Sequence, residues 1–349
     1  MNSIAMTSMG RVLKTLGHQE PDRVPMFLLL TMHGAKELGM GIREYFSKAE
    51  NLVEGQMRLA QKFQNDCIYT FFYAPVEVEA FGGEVIWAED GPPNAGEPLI
   101  RDIEDIMHLQ CPEARSSKAL QKVYKATELL KQEVGNEIPI IGVVMSPFSL
   151  PVMQIGFDRY LEIMHFRPDL FKRLMEVNQA FSVAYANAQL EAGATAICYF
   201  DPVSSPTIIP RDLYLKTGFE IACSTIGMIK GPTATHFASG SALEIADDVA
   251  KTGTAVIGIS THEDITALKS ACRGKLTLLG NLNGIAMRNW TGSECRAIIA
   301  DILEKAAPGG GFILSDNHGE IPFQVSEEIL MTISETVQTL GHYPIRTAQ

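Results

Sequence analysis

ATHFASGSALEIADDVAKTGTAVIGISTHEDITALKSACRGKLTLLGNL, residues 234–282, holds three short apolar runs (234–238, 255–260 and 276–282) separated by two stretches of helical periodicity. An uninterrupted apolar run of this length reads as a strand buried on both faces, and parallel neighbours need a crossover between them, usually a helix. Outward from this stretch, five more runs follow the same rule, at 24–30, 67–72, 139–144, 196–200 and 311–315. Eight strand–helix alternations close a (β/α)8 barrel, which needs roughly 250 residues plus insertions and so fits within 349. An open doubly wound sheet would bring a glycine-rich phosphate turn after an early strand, and no GxGxxG follows any run.

The expectation is therefore one α/β domain spanning 1–349, a TIM barrel with an N-terminal helical extension. An insertion is expected around 77–100, where GGEVIWAEDGPPNAGEPLI (82–100) breaks the alternation with glycines and prolines and predicts a functional loop or a small β-excursion. Residues 169–192 place Leu170, Leu174, Val177 and Phe181 at three-to-four spacing behind Pro168, the pattern of a helix packed on a sheet.

A net charge of −12 and the absence of any Lys/Arg run argue against a nucleic-acid or anionic-membrane partner. The six cysteines (Cys67, Cys111, Cys198, Cys223, Cys272, Cys295) form no CxxC pair and read as free thiols filling the core in a reducing compartment. No run of about 18 apolar residues predicts a membrane span, and MNSIAMTSMG (1–10) lacks the features of a signal peptide, so a cytoplasmic location is expected.

In such a barrel the chemistry sits where strands end. Asp201, His236, His262 with Glu263, and Asp316 with His318 follow the predicted strands, which gathers three of the eight histidines at one mouth; His33 follows the first strand and is a further candidate. Imidazoles and carboxylates converging from neighbouring strand ends form a set that zinc or another divalent metal accepts. Asp201 in CYFDPVSSP and Glu263 in STHEDI are candidate acid–base groups whose burial would raise their proton affinity. Each residue has a plainer reading: a local hydrogen bond for each histidine, an Asx turn before Pro202 for Asp201, and helix N-terminal charge for Glu263 and Asp264. Glu77 and Glu79 share a side if their segment is extended and separate if it is helical, with a solvated pair as the plain reading. Ser146 in MSPFSL and Asn281 in GNLNG offer hydroxyl and amide groups beside the mouth.

Taken in order, EVEAFGGEVIW (77–87), SPFSL (146–150), DPVSSP (201–206), His236 in THFASG, Gly280 with Asn281, and GGFILSDNHGEIP (310–322) resemble the uroporphyrinogen decarboxylase superfamily. Within it, the chain resembles the methylcobamide:coenzyme M methyltransferase-like branch. That resemblance implies zinc held by a His-x-Cys pair and a second cysteine, working with a corrinoid (cobalamin) carried by a partner protein. Here Ala238 stands at the first cysteine position and His318 at the second. The resemblance then leaves His236 and His318 as metal ligands, with Asp201, His262 and Glu263 catalytic and Glu77, Glu79, Ser146, Tyr199 and Asn281 on the substrate. Without thiolates a zinc ion is a stronger Lewis acid, which suits polarising the leaving heteroatom of a methylated small molecule. Two alternatives remain: a tetrapyrrole decarboxylase, disfavoured because MFLLLTMHGAKELGM (26–40) lacks the arginines a polycarboxylate needs, and a non-catalytic module that binds a corrinoid or its carrier protein.

Overall fold

Where the apolar runs were expected to pair, the computed structural model, which describes residues 6–345, shows parallel strands whose hydrogen bonds form one curled sheet. In chain order the strands are β1 (Ile68–Tyr69), β2 (Val85–Ile86), β3 (Asn94–Ala95), β4 (Ile140–Met145), β5 (Ala196–Phe200), β6 (Thr233–His236), β7 (Val256–Gly258), β8 (Thr277–Leu282) and β9 (Phe312–Asp316). The parallel sheet runs β1-β4-β5-β6-β7-β8-β9. Helices fill the crossovers, the architecture of a TIM barrel. Among the described residues no helix is long and apolar enough to cross a membrane.

Residues 24–30 take the eighth position, and they do so with side chains standing in for part of a ladder. On one side Met26 bridges Leu314 in parallel and Phe27 donates to the Leu314 carbonyl over 2.8 Å. On the other, Met26 N–H donates to Asp66 Oδ2 (2.9 Å) and Leu28 N–H to Asn65 Oδ1 (3.0 Å), while Asp66 N–H returns to the Met26 carbonyl. Asp66 is fully buried and also accepts from Arg11 (2.6 Å) and Arg23 (2.7 Å), so one carboxylate joins the seam to the N-terminal helix Ser8–Leu16.

Strand parity sorts the side chains. Phe27, Leu29, Cys67, Tyr69, Val143, Cys198, Val256, Leu279 and Ile313 share one buried cluster inside the ring. Residues of opposite parity, such as Ile140, Val144, Ile197 and Tyr199, pack outward under the helices. Helix Pro168–Glu191 starts on a proline and buries Leu170, Leu174, Val177 and Phe181, as its periodicity predicts. Helix Gly292–Ala306 begins with a capping box between Thr291 and Glu294. The ring interior is not filled: Met9, Val12 and Leu16 of helix Ser8–Leu16 floor an apolar chamber of about 110 Å³ that reaches up to His236.

Residues 77–100 begin in helix Val76–Ala80 and continue into an antiparallel β2–β3 hairpin. Of the cysteines, Cys67, Cys198, Cys272 and Cys295 are buried, whereas Cys223 is partly exposed and Cys111 is exposed, so the core-filler reading fails for Cys111.

Removing the Asp66 carboxylate leaves the buried Arg23 guanidinium without a carboxylate, takes one of the two carboxylates from Arg11, which keeps Asp22, and frees the Met26 N–H. Asp66→Ala is expected to cost about 3–5 kcal/mol in denaturant unfolding, the usual penalty for breaking a buried ion pair from one side. A loss below about 1 kcal/mol would show that the seam does not depend on it.

Candidate active site at the barrel mouth

Parity carries His236, the last residue of β6, into the ring. The imidazole is 1% exposed and stacks on Phe200 of β5, with ring centroids 5.5 Å apart and planes at 20°. Its room comes from Gly258 of β7: a Cβ there would stand 2.6 Å from His236 Cδ2. Nδ1 accepts the Ala238 N–H at 3.0 Å, and Nε2 is buried without a partner. Burial, with His318 as a second cause, pulls the imidazole down to about 4, so it is neutral at physiological pH.

The segment after β9 covers this ring. Asp316 Oδ2 accepts from the N–H groups of His318 (2.8 Å) and Gly319 (2.9 Å), which folds residues 316–319 into a tight turn. Gly319, at φ +89, lies so close over the stack that a Cβ would meet Phe200 Cε2 at 2.7 Å and His236 Cε1 at 3.7 Å. The chain then returns to the first strand, where Ile321 N–H donates to the Leu29 carbonyl (3.0 Å) and Glu320 accepts from the Thr31 hydroxyl. Burial, reinforced by Asp316, pushes the Glu320 carboxyl up to about 8; burial pushes Asp316 to about 6 against the two N–H groups it accepts.

His318 rides on this segment, half-buried, with a buried Nδ1 that has no partner, and exposed His262 lies beside it. The mouth thus brings together His236, His318, His262 and Asn281, whose amide donates to the Ser260 carbonyl over 3.1 Å. His33 stays apart, buried against Phe323 with ring centroids 6.0 Å apart.

Several expected site residues lie elsewhere. Tyr199 has outward parity on β5 and packs in the cluster that holds Ala222 and Ile226 of helix Gly218–Met228, so it cannot touch a substrate in the ring. Asp201 follows with the same parity: its Oδ1 accepts from Ser146 Oγ (2.5 Å) and Ser149 Oγ (2.7 Å), a buried clasp between the loops after β4 and β5 that also occupies Ser146. Glu263 caps the turn after β6, accepting from the N–H groups of Ala242 (2.9 Å) and Leu243 (2.8 Å). The helical reading of 76–80 separates the two glutamates. Glu79 accepts from Tyr73 (2.7 Å), while Glu77 is buried and accepts from Met145 N–H (2.7 Å). Phe200, Gly258, Gly319 and Glu320 were missed; the first two lie two residues beyond the inward-facing Cys198 and Val256 on β5 and β7 and share their parity.

A zinc centre does not fit these residues. Among the described residues no group of three or more His, Cys, Asp or Glu is arranged to hold a metal ion, and the pair His236 and His318 lacks the third donor a catalytic zinc needs. Beside the mouth runs a groove of about 280 Å³, walled by Ser149, Met153, Val203, Ile208, Phe237 and Ala238. Both buried arginines are committed at the seam, Arg11 to Asp66 and Asp22 and Arg23 to Asp66.

Comparison with known proteins agrees with this architecture. The family described as uroporphyrinogen decarboxylase (URO-D) matches residues 7–340. A uroporphyrinogen decarboxylase from Coxiella burnetii is 24% identical, covering 95% of this chain and 95% of its own length. A methylcobamide:CoM methyltransferase from Methanosarcina mazei is also 24% identical, covering 82% of this chain and 85% of its own. A solved methyltransferase structure from Methanosarcina mazei superposes with a TM-score of 0.82 at 20% identity, over 96% of this chain and 99% of that one.

Glu77 yields a pH test. A carboxyl pushed up to about 8 by burial keeps its proton in the folded chain after the unfolded chain, near 4.5, has lost it. Stability is therefore lost as pH rises from about 4.5 to about 8, by at most about 1.4 kcal/mol per unit. Glu77→Gln keeps the acceptor for Met145 and removes the proton, so its stability relative to wild type is expected to climb across that window in denaturant titrations. A flat difference would show that Glu77 does not titrate there.

Proposed function

Because this chain belongs to the uroporphyrinogen decarboxylase family, whose named members both transfer methyl groups and decarboxylate, we propose that it is a corrinoid-dependent methyltransferase. In this reading it takes a methyl group from a methylated small molecule and passes it to the corrinoid of a partner protein. The observation that carries it is the neutral, buried His236 imidazole at the end of an apolar ring, a setting for a molecule with one polar atom. Decarboxylation of a polycarboxylate tetrapyrrole would call for cations, and the two buried arginines serve Asp66 instead.

When bound, a reduced corrinoid would supply the nucleophile for the methyl group. The chain's own residues do the rest. The Phe200–His236 stack and the Asp316–Ile321 segment exclude water from the reacting atoms. Asn281 and His236 orient the heteroatom from the β6–β8 side, and Glu320, held by Thr31, offers a carboxyl on the opposite side for the proton that atom needs once its methyl is gone.

The test is to mix the purified protein with reduced cobalamin and a panel of methyl ethers, methylamines and methyl thioethers, following the cobalamin absorbance. Methylation of cobalamin with at least one donor is expected, with His236→Ala slowing it on the order of 100-fold. Carbon dioxide release from uroporphyrinogen without cobalamin would establish the decarboxylase reading instead. Binding of cobalamin without turnover on any donor would leave a non-catalytic module.

A further inference from the structure

What His236 can offer a ligand is decided by the hydrogen bond within residues 236–238. Ala238 N–H donates to Nδ1, so Nδ1 carries a lone pair and not a proton. A neutral imidazole then bears its one proton on Nε2, which makes Nε2 a donor. Histidines that bind metal through Nε2 show the reverse, with Nδ1–H donating to a carbonyl or carboxylate. The turn is held at some cost, since Ala238 sits at φ +52, in the left-handed region that alanine disfavours.

This donor is buried and has no acceptor. An unpaired buried donor costs about 1–3 kcal/mol, and the ring is fixed in place by Phe200, Gly258 and Gly319. Below it the chamber presents only carbon-rich walls, among them Cys198, Ala234, Val256 and Leu279.

We propose that His236 is the substrate-recognising donor of this mouth, its Nε2–H pairing with the oxygen of a methyl ether whose hydrocarbon body rests on the apolar chamber, and that it is not a metal ligand. This deepens the methyl-transfer reading and rests on it. A quaternary or protonated amine has no lone pair for that donor, whereas an ether oxygen has two. In the transfer the O–CH3 bond breaks, its electron pair stays on oxygen, the methyl group passes to the reduced corrinoid nucleophile, and the oxygen takes a proton to leave as an alcohol. The Nε2–H bond strengthens as charge gathers on that oxygen.

The probes are anisole and ethylbenzene, which share shape and differ in one oxygen, titrated into the full chain without any corrinoid. Anisole is expected to bind about tenfold more tightly, a preference kept by His236→Gln, whose amide retains a donor, and reduced to less than twofold in His236→Ala. Imidazole ¹⁵N NMR of the free protein is expected to show a protonated Nε2 and an unprotonated Nδ1 at His236. Equal affinities for the two probes, no binding of anisole, a protonated Nδ1, or one equivalent of zinc that His236→Gln releases would each overturn the proposal. With no corrinoid present, failure here leaves methyl transfer standing, and failure of the cobalamin assay alongside intact anisole preference sinks only the transfer.

Discussion

One buried carboxylate holds the ring closed. Asp66 accepts from the backbone of the first strand and from two guanidinium groups at once, so the N-terminal helix, residues 24–30 and the start of β1 are fixed by a single side chain. Such a cluster gains little net stability over a well-packed apolar one, but it tolerates only one arrangement of its partners. The placement of Thr31 and Leu29, and so of the segment that returns to them over the mouth, follows from that closure.

From the closed ring, strand parity does most of the remaining selection. A strand shows alternate residues to its two faces, so the side chain that enters the mouth is fixed once the layer below it is known. His236 and Asn281 enter on that count, with Phe200 beside them, while Tyr199 and Asp201 turn outward although they flank Phe200 in the chain. Glycines at 258 and 319 then set the depth at which the imidazole sits and how closely the chain passes over it.

The barrel was legible in the sequence because its signal is repeated: each run from 24–30 to 311–315 coincides with a strand or, for the first, with the segment that bridges β9. The position of His236 and His318 at one mouth was legible for the same reason. Individual roles were not. Glu263 and Asp201 occupy strand-end positions that attract notice, yet their partners, the N–H groups of Ala242 and Leu243 and the hydroxyls of Ser146 and Ser149, come from other loops that no local pattern names. Whether two imidazoles gain a third donor likewise depends on the fold of a turn, not on spacing.

The unfilled chamber under His236 has a mechanical corollary. Volume that side chains leave empty in the native state is given up to water when the chain unfolds, so compression favours the unfolded form. A chamber of about 110 Å³ lined by the strands and floored by helix Ser8–Leu16 is expected to make the centre of this fold the part most responsive to hydrostatic pressure. Yielding would begin from the inside of the ring, beneath the imidazole, and not at its rim.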